Sequence, residues 1–168
     1  MKSAAGRDSE FAGSIDSSLV SVWEGRLGDA WYALHHHCAG LIFMGRARLE
    51  RDPKARNALL HRAISEHTFT LNRTSKANVM YSDIATQIGL AHRSLSEPEK
   101  AMRYFDMANA AHPDYAGAYQ AKAMLLRDQR NYKDAREVLL AGDKATNGTS
   151  PELKYFLGLV LFDMQDFE

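Results

Sequence analysis

From residue 17 onward apolar residues recur at three- and four-residue steps, with little of the strict alternation that a strand requires, so the chain predicts a series of amphipathic helices. Trp31, Leu34, Cys38, Leu41, Gly45 and Leu49 form one predicted apolar stripe, and Ala55, Leu59, Ala63, Ile64, His67 and Leu71 form the next. The breaks between stripes carry Asp29, Asp52-Pro53, Thr74-Ser75, Ser96-Glu97-Pro98, Pro113-Asp114, Asn131 and Ser150-Pro151-Glu152. Short polar side chains there can accept the unpaired N–H groups of a helix start, and proline dispenses with one of them. The links are short, which predicts antiparallel hairpins. The leading stretch MKSAAGRDSEFAGSIDSS has no apolar run behind Lys2 and Arg7, so residues 1–16 are expected to be disordered, neither an intact signal peptide nor a membrane anchor. Glu10-Phe11 and Gly13-Ser14 read as cloning remnants, which leaves the compartment open between cytoplasm and, if a native leader was removed, periplasm or export.

Self-similarity organises the remainder. IGLAHRSLSEPEKAMRYFDMANAAHP (88–113), KAMLLRDQRNYKDAREVLLAGDKATN (122–147) and the shorter LGLVLFDMQDFE (157–168) align without gaps. Small residues Gly89, Ala123 and Gly158 recur at steps of 34 and 35, and Ala101 and Ala135 lie 34 apart. A fixed period of this length means stacked units, each too small to bury its apolar face alone. The pattern resembles the tetratricopeptide repeat (TPR), W-x2-L-G-x2-Y…A-x3-F…P, which Ile88-Gly89, Ala101, Phe105, Ala108 and Pro113 match in the best copy. In the following copy Ala135 is kept, while Gly142 and Asn147 replace the later alanine and proline. The resemblance implies an all-α, right-handed stack of antiparallel helical hairpins, a TPR-like α-solenoid over 17–168. It comprises a divergent hairpin (29–73), repeats at 82–115 and 116–149, and an incomplete repeat at 150–168. In the divergent hairpin Gly40 takes the close-approach position and Ala63 the stacking position. The segments DAWYALHHHCAGL and HRAISEHTFTLNRTS are also similar to bacterial repeat proteins of this kind.

The same resemblance implies that the first helices of successive hairpins line a concave groove holding a peptide or helix of a partner protein. The expected lining is His37, Leu41 and Met44, then Thr86, Leu90 and Arg93, then Gln120, Met124 and Arg127, then Tyr155, Leu159 and Phe162. This row is apolar at both ends, with two arginines between that could take a carboxylate. The family's carboxylate clamp for chaperone tails is not matched, because Thr86, Leu90, Gln120 and Met124 stand where it has lysine and asparagine. In the last helical segment Leu153, Phe156, Leu157, Val160 and Leu161 make one apolar face. Exposed, that face would mark a fragment of a longer repeat protein or a homodimer through residues 153–167.

Charge and candidate chemistry narrow the function. Lys plus Arg (21) equals Asp plus Glu (21), so no global positive field exists to favour nucleic acid or an anionic membrane surface. With 45% apolar and 25% charged residues, the composition is that of a soluble globular domain. One cysteine, Cys38, excludes an intramolecular disulfide and any zinc site needing two thiolates from one chain. In YALHHHCAGL the three histidines point about 100° apart on a helix, so only His35 and Cys38 share a face. A zinc site would need further ligands. His36 is expected inside the hairpin with one nitrogen hydrogen-bonded, His37 on the groove, and Cys38 as a buried small hydrophobe. No phosphate loop, H-E-x-x-H, G-x-S-x-G or EF-hand pattern occurs, and no cofactor is expected. The sequence therefore points to a non-catalytic interaction scaffold. The rivals are a metal- or pH-responsive helical domain built on the His35–Cys38 cluster, and an accessory subunit of an enzyme complex.

Overall fold

The computed structural model describes residues 17–165, with side chains described from 19 to 164. The segment 1–16, expected to be disordered, and residues 166–168 of the incomplete repeat lie outside the described residues. The helices are α1 (Ser17–Leu27), α2 (Leu34–Leu49), α3 (Pro53–Leu71), α4 (Tyr81–Ser94), α5 (Pro98–Ala111), α6 (Ala116–Asp128), α7 (Tyr132–Ala145) and α8 (Pro151–Gln165), with a 3-10 turn at Gly28–Ala33. Among the described residues there is no strand, and no helix is long and apolar enough to cross a membrane.

Local chemistry sets the helix ends. Asp52 accepts the Ala55 N–H at 2.9 Å with Pro53 in the first turn, and Asn131 and Ser150 accept from Asp134 and Leu153 at 3.4 Å each. Helices α4, α6 and α7 are each followed by a residue of positive φ: Ser96 (60°), Arg130 (58°) and Asn147 (53°). The next N–H then reaches back to a last-turn carbonyl, Glu97 to His92 at 3.0 Å, Asn131 to Leu126 at 2.9 Å and Gly148 to Asp143 at 2.8 Å. Three chain reversals thus share one geometry. Asp29, expected as a helix cap, instead reaches across to the α3–α4 link, where its carboxylate accepts the Ser75 N–H at 2.7 Å and the Asn78 side-chain amide at 2.6 Å. Thr74, also expected at a helix start, donates back to the Thr70 carbonyl at 2.8 Å and so belongs to the end of α3.

Helices pack in consecutive antiparallel pairs, α2 with α3, α4 with α5 and α6 with α7, and α8 packs on α7 and α6. First helices also touch one another, α2 with α4, α4 with α6 and α6 with α8, whereas among the described residues second helices do not. That asymmetry curves the stack and makes the first helices its inner layer. The core lies in several clusters within and between the hairpins. Leu71, Ile84, Ile88, Ala108 and Ala118 join three of them, Phe105 packs with Ala101, Ala121 and Leu125, and Leu139 packs with Ala123, Leu153 and Val160. Small residues at the crossings let backbones approach: a Cβ on Gly89 would collide with the Phe105 ring, and one on Gly40 with the His67 ring.

Two expectations are overturned here. The apolar stripe on α2 is not its buried side, because Cys38 is exposed and Leu49 is 83% exposed. The helix instead buries His37, Gly40 and Ala47, since small side chains allow closer contact with α3 than leucines would. On α8, Leu153 and Val160 are fully buried against α6 and α7, with Phe156 and Leu157 packed beside them. Leu153 and Val160 belong to the core of this chain and are not available to a second copy, whereas Phe156 and Leu157 are half-buried.

Candidate functional site

The inner layer carries most of the expected groove residues, at different depths. Tyr155 (64% exposed) and Phe162 (62%) stand out from α8, Leu41 is exposed on α2, and Met44, Leu90, Gln120, Met124 and Leu159 are half-buried. His37 and Thr86 are each 3% exposed and lie beneath this layer, so neither can touch a partner directly. Arg93 and Arg127 are already engaged. Arg93 Nε donates to Asp128 Oδ2 at 2.6 Å, joining α4 to α6, and Arg127 pairs with Asp163, its Nη2 donating to Oδ1 at 3.2 Å, joining α6 to α8. That pairing raises the Arg127 pKa and lowers that of Asp163. The acids were missed as partners, yet the signal was present: Arg93 and Asp128 lie 35 apart and Arg127 and Asp163 lie 36 apart, both close to the repeat period.

The histidines separate as helix geometry requires, and one of them lies deeper than expected. His36 packs within the hairpin with one nitrogen hydrogen-bonded, as expected: it is half-buried at the seam of α2 and α3, with Nδ1 2.5 Å from Glu66 Oε2 and its ring against Phe69. His37, expected on the groove, is inside. Its Nδ1 lies 3.1 Å from His67 Nδ1, and its Nε2 lies 3.3 Å from Asp83 Oδ2. Tyr115 donates to Asp83 Oδ1 at 2.9 Å, so a polar chain crosses α3, α2 and α4 and ends at the start of α6. Burial lowers the His67 pKa to about 4, helped by the neighbouring His37 and opposed by Asp83. Burial pushes the Asp83 carboxyl up, but hydrogen bonds from His37, Tyr115 and Gln87 outweigh it and hold Asp83 below its ordinary value. Burial, with Asp83 beside it, raises the Tyr115 hydroxyl. At neutral pH His67 is therefore uncharged and Asp83 ionised. His67 Nε2, on the far side of its ring from the His37 contact, is buried and has no hydrogen-bond partner among the described residues. His35 and Cys38 are both exposed, and among the described residues no group of three or more His, Cys, Asp or Glu side chains could hold a metal ion.

No protein-family model matches the sequence, and no curated relative does. Solved structures do match in fold. The TPR domain of Sgt2 from Aspergillus fumigatus superposes with a TM-score of 0.62 at 21% identity, over 80% of each chain. The first TPR of Spaghetti (RPAP3), bound to the HSP90 peptide SRMEEVD, gives 0.53 at 12% identity over 77% of this chain and 98% of that one. The TPR2B domain of yeast Sti1, in its pHsp70 complex, gives 0.53 at 20% identity over 72% and 98%. The fold is the helical solenoid of TPR domains.

Proposed function

We propose that this chain is a non-catalytic protein-interaction scaffold whose inner face, formed by α2, α4, α6 and α8, holds a peptide or helix of a partner protein. The observation that carries this reading is a row of apolar side chains along the first helices, exposed at Leu41, Tyr155 and Phe162 and half-buried at Leu90 and Met124 between them. The peptide complexes of RPAP3 and Sti1 support a peptide-holding use of the fold. In this chain Arg93 and Arg127 are matched to Asp128 and Asp163, so neither arginine is left free for an acidic tail. Affinity would come from apolar burial at about 25 cal/mol per Å2. The test is retention of binding partners, identified by mass spectrometry, on the wild-type chain and on a Leu41→Asp/Tyr155→Asp variant. Both side chains are exposed, so the variant keeps its fold, and equal retention would overturn the reading.

Self-association through α8 takes a narrower form. With Leu153 and Val160 internal, a homodimer would use Leu161 and the side of α8 around Gly158, where among the described residues an added Cβ meets nothing within 4 Å. Sedimentation across a dilution series distinguishes a dimer weakened by Leu161→Asp from a monomer at every concentration.

A further inference from the structure

Arg93 and Arg127 close the two seams between α4, α6 and α8 by pairing with an acid on the next first helix. The seam between α2 and α4 has no such pair at this level, its polar contact being His37 with Asp83 elsewhere along the two helices. The residues at the corresponding places are Met44 and Ser94, and neither is charged. A cleft of about 380 Å3 opens there, lined by Met44, Leu60, Arg48, Arg56, Glu50 and Ser94. Arg48 lies one turn beyond Met44 on α2, and Arg56 is in the first turn of α3. Neither guanidinium makes an ion pair or a hydrogen bond among the described residues. Among those residues Glu50 is the one acid lining the cleft, and its Oε1 accepts the Asp52 N–H at 2.9 Å. Leu60 and Ala47, both buried, supply an apolar wall.

We infer that this cleft, where α2 ends, α3 begins and α4 ends, is an anion subsite at the edge of the inner face, taking the side-chain carboxylate of an acidic residue in the bound segment, with a neighbouring aliphatic side chain against Met44 and Leu60. The inference rests on the peptide-holding reading above and gives it a direction, acid at the α2 end and apolar toward α8. Guanidinium forks match a carboxylate in geometry. Two guanidiniums against Glu50 leave one positive charge in surplus, which a monoanion neutralises. A phosphate dianion would leave net negative charge beside Glu50.

The experiment is selection from a random peptide library displayed against the immobilised full chain, repeated with Arg48→Gln/Arg56→Gln. Both arginines are exposed, so the variant should melt as the wild type does. Wild type should enrich peptides with Asp or Glu at a fixed spacing from aliphatic residues, and the variant should keep the aliphatic pattern and lose the acid. In fluorescence anisotropy an enriched peptide should bind the variant about tenfold more weakly, by a margin that narrows with added salt. The same peptide with its acid changed to the amide should bind both proteins equally. Enriched peptides without a fixed acid, or an acid preference that survives in the variant, overturn the subsite and leave the inner face as a binding site. Failure of the wild type to enrich any peptide overturns both.

Discussion

The first two hairpins solve one packing problem with different chemistry. In each, a glycine on the first helix leaves a slot that a ring from the second helix fills, Phe105 against Gly89 and His67 against Gly40. Phe105 asks nothing further of its surroundings. His67 brings two nitrogens into a site with no water-accessible surface, and one of them, Nε2, has no partner. A buried polar atom left unpaired costs about 1–3 kcal/mol. The other nitrogen begins the chain through His37 and Asp83 to Tyr115, which ties the first hairpin to the next two. Shape alone fills the slot. The identity of the ring decides whether the hairpins are joined by apolar contact only or by a titratable network as well.

The largest effect that could break this comparison is at the apolar slot. Phe105→Ala should cost about 3–5 kcal/mol in urea unfolding, because a rigid cavity remains. The titratable slot should show itself in pH dependence. Folded His67 titrates near 4 against 6.5 for its unreacted value, so above pH 6.5 both states hold it neutral. Below that, the unfolded chain takes up a proton that the folded chain refuses until about pH 4, so stability is full above 6.5 and declines toward 4. The loss should approach about 3 kcal/mol, and Asp83, lowered in the fold, adds a further loss only at more acid pH. His67→Phe should remove the His67 portion of that slope; an unchanged profile would show that His67 is not a neutral buried group. Next in size, Gly40→Ala and Gly89→Ala should each cost about 1–3 kcal/mol through overpacking. A neutral result at Gly40 alone would mean that the imidazole can move aside where the phenyl ring cannot. The smallest effect belongs to the inner-face ion pairs. Asp128→Asn should change stability by less than about 1 kcal/mol, because the Arg93–Asp128 pair is solvent-exposed.

From Tyr81 onward the architecture could be read from the chain before the structure. Gly89, Ala101, Phe105, Ala108 and Ala135 are all buried in their helix crossings, and Pro113 follows the end of α5. These positions are legible because a repeated crossing imposes the same small or large side chain at the same interval. In the first hairpin the same reasoning chose the wrong face of α2. Its leucines and cysteine looked like core, but the crossing there is made by glycine, alanine and a paired histidine. Periodicity groups residues onto a shared face, and it carries no information about which neighbour covers that face. For that reason the pairing of Arg93 with Asp128, the burial of Leu153 and Val160 against α6 and α7, and the contacts of His36 with Glu66 and of His37 with His67 were decided only when the helices packed. Each depends on residues of another helix, 30 positions away for His36 and His37 and 35 for Arg93, brought within contact by the packing and stacking of hairpins.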